Sequence, residues 1–140
     1  MNTQIRRAKP GDAQSIAELL DQLGYPDRSI EKIEKVISLE REYILVHETE
    51  SNVNAVISLH IVPELALPGD TATIKYLIVA DSIRGKGIGQ MLEAACCEIA
   101  KANGCERIQL HCGEQRTRTH QFYRNLGYEE SPKFFTKGLQ

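Results

Sequence analysis

Residues 84–89 read Arg84-Gly85-Lys86-Gly87-Ile88-Gly89, and the reading of this stretch decides the fold. A strand-like run, Ile74-Lys75-Tyr76-Leu77-Ile78-Val79, leads into it, and an amphipathic run from Ile88 to about Asn103 follows. Glycines between a strand and a helix let bare backbone N–H groups approach an anion closely. The helix start adds a partial positive charge, and Arg84 and Lys86 add full ones. Such a stretch suits a pyrophosphate, and its spacing excludes two common carriers. A Walker loop needs G-x-x-x-x-G-K-[ST], and no Ser or Thr follows Lys86. A dinucleotide fingerprint, G-x-G-x-x-G, counted from Gly85 meets Gln90 at its sixth position, and counted from Gly87 meets Leu92. Both frames fail.

The pattern that fits is [RQ]-x-x-G-x-[GA], filled by Arg84, Gly87 and Gly89. In its setting of hydrophobic strand, Val79-Ala80-Asp81 turn, glycine loop and amphipathic helix, it resembles the coenzyme A pyrophosphate loop of the GNAT superfamily of acyl-CoA N-acyltransferases. A second stretch, Phe122-Tyr123-Arg124-Asn125-Leu126-Gly127-Tyr128, fits F-Y-x-x-x-G-[FY], another recurrent signature of that superfamily, in the matching order. The residues have a plainer reading as well. Phe122 and Leu126 are i, i+4 core contacts, Gly127 closes a helix and Tyr128 starts a strand. Tyr123, next to Phe122, faces elsewhere, toward the gap between two parallel strands.

Outward from these motifs the chain of 140 residues divides into alternating elements that suffice for one domain spanning 1–140. Thr3 to Ala8 reads as a strand, and Asp12 as the cap of a helix carrying Ile16, Leu19, Leu20 and Leu23. A second helix, capped near Asp27 or Ser29, places Ile30, Ile33, Val36 and Ile37 on one side. Glu42–His47 and Val53–Val62 form a hairpin around the polar turn Glu48-Thr49-Glu50-Ser51-Asn52. Thr71–Val79 is the strand before the glycine loop. The main helix buries Ile88, Met91, Leu92, Ala95, Cys96 and Ile99 and ends at Gly104. Arg107–Cys112 follows as a strand parallel to Thr71–Val79, because a right-handed crossover places it so. A short helix, Thr117–Asn125, and a last pair of strands, Tyr128–Glu130 and Phe134–Lys137, complete the chain. The order β-α-α-β-β-β-α-β-α-β(-β) gives an α/β fold, a mixed sheet with a splayed central parallel pair, and coincides with the GNAT order over almost the whole length.

Composition excludes other classes of function. A net charge of −2 argues against binding nucleic acid by phosphate neutralisation. No apolar run reaches the ~20 residues of a membrane span, and the residues from Met1 to Arg7 lack a signal-peptide core, so a soluble, cytoplasmic protein is expected. Cys96, Cys97, Cys105 and Cys112 form no C-x-x-C pair, and His47, His60, His111 and His120 show no metal-ligand spacing; buried small thiols without disulfide or metal are expected.

The resemblance implies transfer of an acetyl group from acetyl-CoA to an amine. It assigns the coenzyme to Leu77, Ile78 and Val79 on the strand, to Arg84, Gly85, Lys86, Gly87, Ile88 and Gly89 in the loop, and to Phe122. Backbone N–H groups of Leu77 to Val79 would bind the thioester oxygen and pair with the pantetheine arm. The resemblance implies Tyr123 as the general acid for the departing thiolate, with a phenol pKa of about 10 suited to the task. Many members carry a glutamate in the strand before the loop, where this chain has Lys75-Tyr76. Candidate bases are then Glu64 or His111, with His120 and a water chain as further options. Many relatives also have an asparagine six residues before the Phe-Tyr pair; Arg116 stands there and suits a phosphate instead. A non-catalytic acyl-CoA-binding module of the same fold is the alternative reading, and homodimerisation is an expectation from the superfamily.

Overall fold

The computed structural model describes residues 2–25, 29–110, 117–130 and 135–139. Its elements run β1 (Thr3–Arg7), α1 (Ala13–Gln22), α2 (Ile30–Ile37), β2 (Glu42–Thr49), β3 (Asn52–Val62), β4 (Asp70–Val79), α3 (Ile88–Ala102), β5 (Cys105–Leu110) and α4 (Thr117–Asn125). The strands make one mixed sheet in the order β1-β2-β3-β4-β5, antiparallel except for the parallel β4–β5 pair. That pair is parallel because α3 returns the chain over the sheet.

Strand alternation sorts the core onto two faces. Leu45, Ala55, Ile57, Leu59, Ile61, Ala72 and Ile74 meet Ile88, Leu92, Cys96 and Ala100 of α3. Ile44, Val46, Val56 and Ile78 meet Ile16 and Leu19 of α1 and Ile37 of α2 on the other face. Along β3, Ala55, Ile57, Leu59 and Ile61 are buried toward α3, whereas Val53 packs with the cluster on the other face. Ser29 caps α2 as expected, its Oγ accepting from the Lys32 N–H at 3.3 Å; Asp27 lies outside the described residues.

Four expectations are corrected. Asp12 does not cap α1: its carboxylate accepts from the Lys9 N–H at 2.7 Å and from the Arg6 guanidinium at 2.8 and 2.9 Å, closing a 3-10 turn, Pro10–Asp12, at the end of β1. The Glu48–Asn52 turn is tighter than read, since pairing continues to Thr49↔Asn52. Glu50 and Ser51, both at positive φ (50° and 71°), make a two-residue turn whose twist matches its strands. Met91 is half exposed, because the buried stripe of α3 steps by four through Ile88, Leu92, Cys96 and Ala100 and leaves it behind. The parallel pair stands at the edge of the described sheet rather than at its centre, for Tyr128–Glu130 forms no strand. The Tyr128 N–H is spent on the Tyr123 carbonyl at 3.0 Å, and the Gly127 N–H on that of Arg124, at a left-handed Gly127 (φ 97°). This is a helix cap in place of a ladder. Phe134 lies outside the described residues.

Candidate active site

Among the described residues the parallel pairing of β5 with β4 runs to Ile74↔Leu110, the last described residue of β5, while β4 runs on beside β3 to Val79. A bulge falls at the same place: Tyr76 pairs with Ser58 and Ile74 with Leu59, so Lys75 is an extra residue. The bulge shifts the alternation by one. Ile74 packs toward α3 before it, and Leu77 and Val79 do so after it. Beyond Ile74 no described residue pairs with the other edge of β4, the open edge of the described sheet. The Ala80 N–H donates to the Asn54 carbonyl at 2.9 Å, so Ala80 faces β3. Alternation therefore turns the N–H groups of Leu77 and Val79 to the open edge.

The glycine loop begins where this edge ends. After a 3-10 turn, Asp81–Ile83, Gly85 and Gly87 take φ of 81° and 79°, the left-handed region that a Cβ penalises. Gly87 occupies the cap position of α3 and has no side chain with which to cap it; its carbonyl accepts the Met91 N–H at 3.1 Å, the first bond of the helix. The N–H groups of residues 88–90 thus lack helical partners and point out of the helix start, as an anion requires. Arg84 stands beside them, its guanidinium 3.0 Å from Asp81 and its Nε donating to the Val79 carbonyl at 3.4 Å.

Open edge, loop and α4 enclose a cleft of about 580 Å³. Of the coenzyme residues expected from sequence, Leu77, Ile78, Val79, Arg84, Gly85, Gly87, Ile88, Gly89 and Phe122 line it together. Lys86 is exposed on the loop and does not. Phe122 leans over the loop: a Cβ on Gly89 would lie 3.4 Å from its Cζ. Tyr123 lines the cleft while only 7% exposed. Its ring is held edge-to-face between Phe122 (centroids 5.0 Å apart) and Tyr128 (5.3 Å). Tyr128 is fixed in turn, its hydroxyl donating to Glu93 at 2.8 Å. Glu93 is itself buried on α3 and also accepts from the Cys97 thiol at 3.2 Å. Burial, reinforced by the bond to Glu93, holds the Tyr128 phenol well above the ordinary tyrosine range.

The structure carries Glu64 away from this site. Its carboxylate accepts from Thr71, which also accepts from Arg107 at 3.0 Å, at the far end of β4. Six residues of strand separate Thr71 from Leu77, roughly 20 Å, so Glu64 is no base for chemistry in the cleft. His120 sits half-buried on α4 without lining the cleft. His111, Cys112 and Arg116 lie outside the described residues. Burial pushes the Cys96 thiol up to about 12 and Cys97 to about 11, so neither is a nucleophile at neutral pH. Among the described residues no group of three or more His, Cys, Asp or Glu could hold a metal ion, and no helix is long and apolar enough to cross a membrane.

Sequence reading missed Gln22, Leu23, Arg118 and Thr119. Gln22, at the end of α1, brackets the turn after β4: its Nε2 donates to the Val79 carbonyl at 2.9 Å and its Oε1 accepts the Asp81 N–H at 3.0 Å. Leu23, Arg118 and Thr119 line the cleft. None belongs to a motif; only contact across the fold identifies them.

Comparison with known proteins agrees with this geometry. The model of the acetyltransferase (GNAT) family matches residues 13–128. Glucosamine 6-phosphate N-acetyltransferase of Trypanosoma brucei brucei is 27% identical over 135 residues, covering 91% of this chain and 90% of that protein. A transcriptional regulator from Bacillus halodurans C-125 superposes with a TM-score of 0.88 at 22% identity, over 99% of this chain and 100% of that one. An aminoglycoside N-acetyltransferase solved in complex with CoA superposes at 0.86 with 16% identity, over 99% and 95%. At these identities the two structures establish the fold alone.

Proposed function

Since the chain belongs to the acetyltransferase (GNAT) family and is an acetyl-CoA-dependent N-acetyltransferase, we propose that it moves the acetyl group to a primary amine of a small molecule or protein by direct attack on the thioester. The observation that carries this reading is the placing of Tyr123 at the cleft between the open edge of β4 and the glycine loop.

The pyrophosphate of the coenzyme sits on the N–H groups of residues 88–90 with Arg84 beside it, and the pantetheine arm lies along β4 as an added strand. The Val79 carbonyl is already engaged by Gln22, so the N–H groups of Leu77 and Val79 remain to meet the arm and the thioester oxygen. The amine lone pair forms a C–N bond at the carbonyl carbon, and charge gathers on that oxygen. The C–S bond then breaks, and the thiolate takes the Tyr123 hydroxyl proton. The amine's surplus proton leaves through water, because the described residues lining the cleft include no carboxylate or imidazole. Holding thioester and amine in line supplies much of the rate.

The test is Tyr123→Phe, which keeps the ring contacts and removes the acid. General acid catalysis of this kind is worth about 10²–10⁴-fold, so kcat should fall by that factor with the Kd for acetyl-CoA unchanged. An unchanged kcat with chemistry rate-limiting defeats the assignment of Tyr123.

A further inference from the structure

Three cationic side chains, Lys75, Arg84 and Arg118, line the cleft, and no Asp or Glu does among the described residues. Arg84 stands at the glycine loop and is paired with Asp81. Lys75 follows Ile74, the last residue of β4 paired with a described residue of β5. Three residues lie between Lys75 and Val79, a rise of roughly 13 Å along the strand. That rise sets Lys75 back along β4 from the start of the glycine loop. Lys75 is exposed and has no hydrogen bond or ion pair among the described residues. The bulge makes it the extra residue of β4, the point at which a strand re-aims a side chain. Tyr76 follows, half exposed and edge-to-face with Tyr25 beyond α1, centroids 5.6 Å apart. An ammonium with no counter-charge among the described residues and an aromatic pair beside it is poor company for a polycation and suits a ring that carries an anion.

Resting on the transfer reading above, we infer that the acceptor is an amine bearing an anionic group, a phosphate ester or a carboxylate, and that Lys75 is the residue that reads the anion. The amine attacks the thioester while the anionic substituent is held beside Lys75. The bulge thus serves specificity. Discrimination comes from attraction to Lys75 and from the absence of any described carboxylate to greet a second ammonium.

The experiment measures CoA release by the full chain with matched acceptors: glucosamine against glucosamine 6-phosphate, an amino acid against its amide, and a polycationic aminoglycoside. A charge-assisted contact of ordinary strength predicts about tenfold higher kcat/KM for the anionic member of a pair. The phosphate and carboxylate arms show which anion is preferred. Lys75→Ala should collapse that ratio to near one through acceptor KM, and Lys75→Glu should invert it, both with the acetyl-CoA KM unchanged. Wild-type rates on neutral or polycationic amines that match or exceed those on anionic ones overturn the inference and leave the transfer reading standing. So does an anionic preference that survives Lys75→Ala. Binding of CoA by calorimetry with no transfer to any amine overturns both.

Discussion

Gly87→Ala asks whether the anion seat depends on backbone shape alone. Gly87 caps α3 with φ 79° and ψ 9°. A Cβ built on it meets nothing within 4 Å, so no clash contributes. What remains is the cost of a left-handed backbone for a residue with a Cβ, about 1–2 kcal/mol. The variant escapes this cost by relaxing residues 85–87 toward negative φ, which swings the N–H groups of residues 88–90 off the ligand. Binding must then restore the original shape, and 1–2 kcal/mol becomes a Kd weaker by roughly 5–30-fold. Gly89→Ala is the control. Gly89 is helical, and its Cβ would meet Phe122 at 3.4 Å and Leu77 at 3.7 Å, ordinary contacts. Alanine there gains helix propensity worth up to about 1 kcal/mol. Titration calorimetry with acetyl-CoA, paired with thermal melts, separates the two. Gly87→Ala should lose affinity, while Gly89→Ala holds its Kd within about threefold and keeps or raises Tm. Equal losses in the two variants, or wild-type binding by Gly87→Ala, would refute the account of the loop as a backbone device.

Tyr128→Phe removes one donor from buried Glu93 and keeps the ring against Tyr123. Leaving a buried acceptor short of a partner costs about 1–3 kcal/mol; a melt should show the loss with kcat nearly unchanged, and an unchanged Tm would mean that Glu93 finds another donor. The raised Tyr128 pKa also fixes a sign: its contribution is complete below the unfolded value of about 10 and declines as pH rises beyond it, an alkaline weakening that Tyr128→Phe should lessen. Asp12 gives the opposite sign. Its carboxyl is held below the usual range chiefly by the Arg6 hydrogen bonds, so its stabilisation is present above about pH 4 and is lost as pH falls through the depressed native value. Asp12→Asn should therefore destabilise by about 1–2 kcal/mol at pH 7, with the gap to wild type narrowing as pH falls below about 4 in urea titrations; a gap independent of pH would point to packing instead.

What sequence could and could not reveal follows from how each part of the site is made. The loop was legible because its chemistry is local: Gly85 and Gly87 are glycines for backbone reasons, and the strand before and helix after them carry their own periodicities. Phe122, Tyr123 and Gly127 were legible likewise, as a helix face and its cap. Strand alternation was legible only until something interrupted it. Read with period two, Ile74, Tyr76 and Ile78 share a face, whereas the bulge at Lys75 puts Ile74 with Leu77 and Val79 and leaves Tyr76 exposed. A bulge is set by the partner strand, which does not mark residues 74–76 themselves. The same holds for Gln22, whose bonds to Val79 and Asp81 join positions 57 and 59 residues apart. The glycine-loop end of the cleft is thus written in contiguous sequence. The other end is assembled from α1, β4 and α4 meeting across the sheet, and on the proposed reading such an enzyme can change its acceptor by altering a few unrelated positions, Lys75 first, without disturbing the glycine loop.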